Sequence, residues 1–294
     1  MGSWPSAHTR QEAELRSGDL VLRPGDDGAM LVPDRAYANA YTLRVGRTDQ
    51  SYVDLDDPLR LEFDYVQRIA DLVDSLFPIG TRVRAVHIGG AAMTLPRYLT
   101  ATRPQSAQVV FEPDVALTEF VRIHLPLPRR SGIRVRAVDG RSGVDELRDG
   151  FAELMIIDAF VGPRVPAELG TWEFFASARR VLAEPGMLIM NLTDRGPFGY
   201  ARRVLSGIAE SFPHLALCSE PSTLKGRRFG NVIIAGSAGP LPYQAIAERA
   251  SRGPFPYRVL HGARLDQLRA GSRPFVDADP ESSPEPPRGM THFA

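Results

Sequence analysis

Short apolar runs alternate with stretches of helical periodicity over most of the chain. Strands are predicted where a few mostly apolar residues lie between turn residues, at 83–88, 108–111, 134–138, 154–157, 187–191, 214–219 and 231–235. Helices are predicted at 114–125, 166–182 and 200–211. This alternation predicts right-handed crossovers and an α/β, Rossmann-like, doubly wound sheet that is mostly parallel. The last two strands flank a Gly- and Arg-rich loop, and we expect them to form an antiparallel edge pair.

A different pattern precedes this region. Between residues 18 and 57, short apolar runs alternate with turn residues, which predicts a small antiparallel β domain. An Asp-Gly turn at 26–28 favours a hairpin for its first two strands. Asp57 followed by Pro58 resembles a helix N-cap with proline in the first turn, and apolar residues then recur at helical spacing. A helix is therefore predicted at 58–76.

Both ends of the chain are poor in apolar residues. Residues 1–17 are polar, and residues 271–294 contain five prolines among Ser, Asp and Glu. Such segments offer little apolar surface to offset the entropy lost on ordering, so both are predicted to be flexible tails. The predicted organisation is therefore a tail at 1–17, a β domain at 18–57, an α/β domain at 58–270 and a Pro-rich tail at 271–294.

Composition restricts the partners and the compartment. The chain has 294 residues, with 35 Lys plus Arg and 35 Asp plus Glu, so no net charge attracts it to nucleic acid or an anionic membrane. No apolar run approaches the length of a membrane span, and the start of the chain lacks the apolar core of a signal peptide. A single cysteine, Cys218, excludes an internal disulfide, and six dispersed histidines predict no metal site. These features together predict a cytoplasmic protein.

Glycine or acidic residues follow four of the predicted parallel strands. They are Gly89 and Gly90 after the first, Glu112 after the second, Asp139 with Gly140 after the third, and Asp158 after the fourth. Ligands of open parallel sheets bind beyond the carboxyl ends of the strands, so these groups are predicted to converge on one crevice. Each alone is typical of a solvated strand end, whereas the four in succession favour a ligand site.

The spacing of these residues bears on the ligand. A dinucleotide site favours G-x-G-x-x-G after the first strand, whereas positions 89, 91 and 94 are Gly, Ala and Thr, which disfavours NAD. Glu112 lies 22 residues after Gly90, a spacing that suits a carboxylate bound to both ribose hydroxyls of either NAD or S-adenosylmethionine. Asp139 favours S-adenosylmethionine, because a carboxylate there can accept from the adenine amino group.

Several segments together resemble the spermidine synthase family of polyamine aminopropyltransferases, in which a small N-terminal β domain precedes an S-adenosylmethionine-type fold. The resemblance runs from about Thr42 to Ala235. Four segments correspond to family motifs: residues 61–65 to D-E-x-x-Y, 89–92 to G-G-G-D, 158–163 to D-S-S-D-P, and 172–189 to the "E-F-Y … P-G-G" segment. The single residues that match family positions are Gln50, Glu112, and Asp139 with Gly140.

The resemblance implies an aminopropyltransferase without a tightly bound cofactor. Its donor substrate would be decarboxylated S-adenosylmethionine or S-adenosylmethionine, and its acceptor a small-molecule amine. Asp158 and Tyr65 would be the catalytic residues that accept or orient the amine. Gln50, Gly89, Gly90, Glu112, Asp139 and Gly140 would bind the donor. The family also implies a homodimer.

The chain departs from the family pattern at positions that matter for the acceptor. The second acid of D-S-S-D is Val161 or is deleted, a family glutamate is Gln67, and a Trp-bearing loop is replaced by residues 225–230. These losses remove partners of a distal ammonium, so the acceptor is expected to differ from putrescine. Ala92 replaces the acid after the glycine turn, which leaves both donors open. Two alternatives therefore stand beside the transferase: an S-adenosylmethionine-dependent methyltransferase and a catalytically silent nucleoside-binding or scaffold protein.

Overall fold

An antiparallel sheet forms the N-terminal part of the computed structural model, which describes residues 18–23 and 28–287. Its strands follow one another in the order of the chain. They are β1 (Leu20–Arg23), β2 (Ala29–Pro33), β3 (Ala40–Val45) and β4 (Thr48–Asp54). The predicted tail at 1–17 and most of the predicted Asp-Gly turn lie outside the described residues.

A mixed sheet forms the second and larger layer. Its strands are β5 (Arg84–Ile88), β6 (Ala107–Phe111), β7 (Ile133–Arg136), β8 (Ala152–Ile157), β9 (Leu182–Asp194), β10 (His214–Ser219), β11 (Gly230–Ser237) and β12 (Arg258–Leu260). The order is β12-β10-β11-β9-β8-β5-β6-β7, and the five strands from β9 to β7 are parallel. The predicted α/β fold with a small N-terminal β unit is confirmed. The predicted edge pair, β10 with β11, is antiparallel but lies inside the sheet, because β12 covers β10.

Helices cover both faces of the large sheet. They are α1 (Asp64–Leu76), α2 (Thr94–Thr102), α3 (Val115–His124), α4 (Gly140–Asp145), α5 (Trp172–Val181), α6 (Gly199–Ala209), α7 (Pro221–Leu224), α8 (Tyr243–Arg252) and α9 (Ala263–Arg269). One core lies between the sheet and α4, α5 and α6, and the other between the sheet and α1, α2 and α8. The predicted helix at 166–182 is divided, because Thr171 caps α5 after a 3-10 turn at Ala167–Gly170.

The predicted start of the first helix is wrong. Residue 57 begins a turn instead of a helix: its carboxylate accepts from Leu59 N at 3.1 Å, and Arg60 N donates to its carbonyl. The Arg60 side chain then pairs with Asp54 at 2.8 Å, which holds this turn against the end of β4. The backbone stays extended at Phe63, so α1 starts at Asp64.

The N-terminal sheet packs on the helices next to the glycine turn. Leu31 and Leu43 are fully buried in one cluster with Leu117 and Val121 of α3. Polar contacts fix the position of β4, because Thr94 Oγ1 donates to the carbonyl of the neighbouring Tyr52 at 2.8 Å. Strand β4, which carries Gln50, therefore lies directly beside the glycine turn.

The described part of the predicted C-terminal tail, residues 271–287, is packed against the α/β domain, so that prediction is wrong for these residues. Phe275 is 1% exposed and lies against the Tyr200 ring, with the Arg203 guanidinium 3.7 Å from its ring centroid. Its carbonyl accepts from Trp172 N at 2.8 Å. A few anchoring side chains therefore order a segment whose overall composition is polar.

The same segment holds the loop that follows β8. Ser283 is fully buried, and its Oγ accepts from Val165 N at 2.8 Å. Its carbonyl accepts from Arg164 Nε at 2.6 Å, and the carbonyl of Ser282 accepts from the same guanidinium. Asp158 lies at the start of this loop, so the C-terminal segment supports the carboxyl end of β8.

We expect Ser283→Ala to lower the free energy of unfolding by about 1–2 kcal/mol, because the buried Val165 N–H loses its acceptor. Urea unfolding followed by circular dichroism would measure the change. Ser282→Ala is the matched control, since the adjacent residue contributes its carbonyl and not its hydroxyl. Equal unfolding midpoints for the Ser283 variant and the parent would contradict the packing of this segment.

Candidate active site

The turn after β5 requires glycine at position 89 and leaves little room for a side chain at position 90. Gly89 has φ +90°, and a Cβ there would lie 2.3 Å from the carbonyl oxygen of Asp158. A Cβ on Gly90 would lie 3.1 Å from Cβ of Glu112. The turn therefore packs closely between the ends of β6 and β8. Because its two glycines have no side chains, their backbone directly faces the crevice.

Glu112 ends β6 and binds the glycine turn itself. Its Oε2 accepts from Gly90 N at 3.0 Å and from Ala91 N at 3.2 Å, and its Oε1 accepts from Asp114 N at 3.0 Å. The residue is 9% exposed. A carboxylate has about four lone-pair sites, so this one keeps capacity to accept from a ligand.

Asp139 follows β7 and caps α4. Its carboxylate accepts from Ser142 N at 2.8 Å, and this backbone hydrogen bond lowers the pKa of Asp139. The side chain is exposed, while Gly140 is buried. A Cβ on Gly140 would lie 2.2 Å from Ile88 Cγ2 at the end of β5, which keeps Asp139 beside the glycine turn.

Asp158 ends β8 in a network of polar side chains. Asn191 Nδ2 donates to Asp158 Oδ1 at 2.8 Å, and the Tyr65 hydroxyl donates to the same carboxylate. Burial raises the pKa of Asp158 to about 6, against the opposing effect of these two donors. Burial and the negative charge of Asp158 raise the pKa of Tyr65. The two predicted catalytic residues are therefore in direct contact.

Sequence reasoning missed the residues that support Asp158. Asn191 lies in β9, and its Oδ1 accepts from Asn231 Nδ2 at 3.0 Å. Asn231 lies in β11 opposite Thr193 of β9. The sequence signal that could have identified them is the presence of polar residues near the ends of two otherwise apolar strands, β9 and β11. Antiparallel pairing of these strands brings the polar residues together.

Two clefts meet at this network. The turn cleft is lined by Ser51, Gly89, Gly90, Ala91, Thr94 and Asp158, among other residues. The amide cleft is lined by Asp64, Phe160, Pro163, Asn191, Thr193 and Asn231, among others. Gln50 and Tyr65 line both clefts.

The structure thus brings most of the predicted site residues together. Gln50, Tyr65, Gly89, Gly90 and Asp158 line the clefts, and Glu112 contacts the glycine turn directly. Asp139 and Gly140 line neither cleft and lie farther along the carboxyl edge of the sheet.

The amide cleft contains an acid that the sequence reasoning did not select. Asp64 begins α1 and pairs with Arg68 one turn later. Burial raises its pKa, and the nearby negative charge of Glu220 acts in the same direction. Val161, which replaces the family's second acid unless that acid is deleted, is 74% exposed.

Other polar groups near the site have structural roles. His87 is buried, its Nε2 lies 2.9 Å from Gln108 Oε1, and burial lowers its pKa to about 4.

Within residues 18–23 and 28–287, no three His, Cys, Asp or Glu side chains are grouped closely enough to hold a metal ion. None of the helices in the described part of the chain is long and apolar enough to cross a bilayer.

Comparison with known proteins agrees with this architecture. No family model matches the chain. A polyamine aminopropyltransferase from Vibrio vulnificus is 26% identical over 157 residues, which cover 52% of this chain and 51% of that protein. The chain therefore spans about half the length of that curated relative. A probable spermidine synthase from Corynebacterium glutamicum has a TM-score of 0.80 at 27% identity, over 85% of this chain and 93% of the other.

A methyltransferase has a more distant likeness. Human methyltransferase-like protein 13, solved in complex with SAH, has a TM-score of 0.50 at 19% identity, over 72% of this chain and 93% of the other. That likeness concerns the fold alone. The spermidine synthase structure matches much better, and the curated relative agrees with it. The curated relative and the spermidine synthase structure together support the interpretation of the chain as a divergent spermidine synthase-like family member.

Proposed function

We propose that the protein transfers an aminopropyl group from decarboxylated S-adenosylmethionine to an amine acceptor. The observation that carries this proposal is the Asp158 carboxylate, held by Asn191 and Tyr65 where the turn cleft meets the amide cleft. In this assignment the donor occupies the glycine turn and the turn cleft, and the acceptor occupies the amide cleft.

The donor side would bind the nucleoside through Glu112 and Asp139. Glu112 keeps lone pairs free for the ribose hydroxyls after accepting from the glycine turn. Asp139 would accept from the adenine amino group beside the buried Gly140. The backbone of Gly89 and Gly90 would let the nucleoside approach the sheet closely, and Gln50 would contact the donor from β4.

The reaction would be a direct displacement at carbon. The acceptor nitrogen forms a bond to the propyl carbon attached to the sulfonium, and the carbon–sulfur bond breaks with its electrons moving to sulfur. The products are the alkylated amine and neutral methylthioadenosine. Alkylamines have pKa values near ~10.4, so the amine arrives protonated and must lose a proton before it attacks.

Asp158 would accept that proton or orient the amine that carries it. Its raised pKa of about 6 leaves it mostly ionised at neutral pH, while it is a stronger base than an ordinary carboxylate. Asn191 fixes one of its oxygens, and Tyr65 is placed to hydrogen-bond the amine between the clefts. Fixing the amine in line with the sulfonium is the larger contribution, because positioning can supply much of the barrier reduction.

A second candidate is methyl transfer from ordinary S-adenosylmethionine. It is favoured by Ala92, which is fully buried where the family has an acid, and whose N–H donates to Ser51 Oγ at 3.3 Å. Loss of that acid removes a charged group from the end of the donor site. A catalytically silent nucleoside-binding protein would share the same donor site.

Titration calorimetry with three nucleosides distinguishes these functions. We expect decarboxylated S-adenosylmethionine and methylthioadenosine to bind more tightly than S-adenosylmethionine. Preference for S-adenosylmethionine would favour the methyltransferase instead. Absence of binding by all three would overturn both transferase assignments.

A further inference from the structure

The loop after β8 forms one wall of the amide cleft, and residues 160–164 are here called the wall loop. Three of its residues line the cleft: Phe160, Gly162 and Pro163. The wall loop turns back on itself, because Val161 N donates to the Arg164 carbonyl at 2.8 Å and Arg164 N donates to the Val161 carbonyl at 3.3 Å. A molecule in the amide cleft would therefore contact this loop.

The C-terminal segment holds the wall loop from outside. Arg164 Nε donates to the Ser283 carbonyl at 2.6 Å, and Arg164 Nη2 donates to the Ser282 carbonyl at 3.2 Å. Val165, directly after the loop, donates to Ser283 Oγ at 2.8 Å, and its carbonyl accepts from Ser283 N at 3.3 Å. In the described part of the chain, every hydrogen bond from the wall loop to another segment goes to these two serines.

The C-terminal segment is itself anchored away from the loop. The Asp277 carboxylate accepts from Arg141 Nη1 at 2.9 Å, from Arg141 Nη2 at 2.8 Å and from Thr171 Oγ1 at 2.6 Å. Bidentate pairs of this kind are among the stronger hydrogen bonds in proteins. Phe275, two residues earlier, is buried in the core. The wall loop is therefore attached to a support whose own position does not depend on the loop.

We propose that Arg164 is a positioning residue, which binds the C-terminal segment and so keeps the wall loop in its amine-binding arrangement before the amine arrives. This inference rests on the proposed function and adds the element that shapes its acceptor side. A loop that is in place only part of the time lowers the apparent affinity by that fraction. Arg164 lines neither cleft, so it acts on the amine through the loop and not by contact.

Arg164→Met tests this role, because methionine keeps an unbranched apolar stem and has no donor for the two carbonyls. We expect KM for the amine to rise about tenfold, as for a loop that is in place about a tenth of the time. The value of kcat should change little, because a bound amine still meets an unchanged Asp158. Initial rates at varied amine concentration measure both values. A fall in kcat at an unchanged KM would overturn the positioning role.

A conservative variant and a matched control separate this role from general loss of stability. Arg164→Lys keeps a cation that can donate, without the planar fork, so its KM should lie between those of the parent and Arg164→Met. Arg84 also donates to two consecutive carbonyls, of Gly150 and Phe151, at 3.0 Å each, and its side chain is 41% exposed against 40% for Arg164. It begins β5, at the edge of the sheet opposite the clefts. An equal rise in KM in Arg84→Met would overturn the assignment.

Hydrogen–deuterium exchange separates this inference from the proposed function, because it needs no substrate. The amides of Val161 and Val165 should exchange about tenfold faster in Arg164→Met than in the parent. The amide of Met93, which donates to the Gly90 carbonyl at 2.7 Å, is the internal reference and should not change.

Faster exchange in the variant supports the attachment of the wall loop even where the parent transfers no aminopropyl group, a result that would refute only the transferase. Equal exchange rates in the parent and in Arg164→Met would overturn the inference, whatever the activity. Faster exchange together with an unchanged KM for the amine would overturn it as well.

Discussion

Asp158→Asn is expected to lower turnover by about 10²–10⁴-fold, the range typical for loss of a general base. The change keeps the shape of the side chain and removes its charge in the turn cleft, beside Tyr65 and Asn191, which line the amide cleft. Asn191 Nδ2 can still donate to the new amide oxygen, so the network should persist. Donor affinity should change little, because the proposed nucleoside contacts lie at Glu112 and Asp139. Equal turnover in the folded variant and the parent would eliminate a catalytic role for Asp158.

The same carboxylate predicts a pH dependence. With a pKa of about 6, Asp158 is protonated in acid and ionised at neutral pH, so parent turnover should rise as pH increases through 6. The acceptor amine also loses protons as pH rises, in both the parent and the variant. The ratio of parent to Asp158→Asn turnover isolates the carboxylate, and it should fall below pH 6. A ratio that is constant between pH 5 and 8 would contradict the assignment.

The free energy of unfolding of the parent should fall as pH rises, whereas its turnover should rise. A carboxyl whose pKa is raised in the folded state binds its proton more tightly there, so stability falls as pH rises from about 4 to about 6. Above that window the parent carries the full cost of the ionised Asp158, up to about 3 kcal/mol at 1.36 kcal/mol per unit. Asp158→Asn should therefore unfold at higher urea than the parent at pH 7.5, and the difference should shrink at pH 4. A less stable variant at pH 7.5 would show that the raised pKa is wrong.

Glu112→Ala is expected to weaken donor binding by about tenfold to a hundredfold, because each charge-assisted hydrogen bond to a ribose hydroxyl contributes about 1.5–3 kcal/mol. The substitution also removes the acceptor of the Gly90 and Ala91 N–H groups, which should loosen the turn proposed to hold the nucleoside. Calorimetry with methylthioadenosine measures the loss. Glu119→Ala, at an exposed position of α3, is the matched control. An unchanged dissociation constant in a folded Glu112 variant would remove the nucleoside from this site.

The sequence predicted the fold well where a local pattern and the tertiary structure agree. Four successive parallel strands ended in glycine or an acid, and the ends of β5, β6 and β8 do meet at the glycine turn, where Glu112 contacts Gly90. The helix start at residue 57 failed because an Asp-Pro pair also suits a turn, and the Arg60–Asp54 ion pair stabilises that turn. The C-terminal prediction failed because one buried aromatic residue, Phe275, anchors an otherwise polar segment.

The residues that surround Asp158 and line the amide cleft could not be predicted from local sequence patterns. Asn191 and Asn231 belong to strands far apart in the sequence, and only the antiparallel pairing of β9 with β11 places them in contact. Asp64 lies beside Tyr65 in the sequence, yet a charged residue at a helix start is ordinarily solvated. Asp64 instead lines the amide cleft, a tertiary placement that no local pattern shows.

The most direct test of the proposed transferase is product analysis with the parent protein, decarboxylated S-adenosylmethionine and a panel of monoamines, diamines and polyamines. Mass spectrometry would quantify methylthioadenosine and the aminopropylated amine in the same reaction. We predict equal amounts of the two products with at least one amine of the panel, and their loss in Asp158→Asn. Absence of methylthioadenosine with every amine, or a methylated product formed from ordinary S-adenosylmethionine instead, would contradict the assignment.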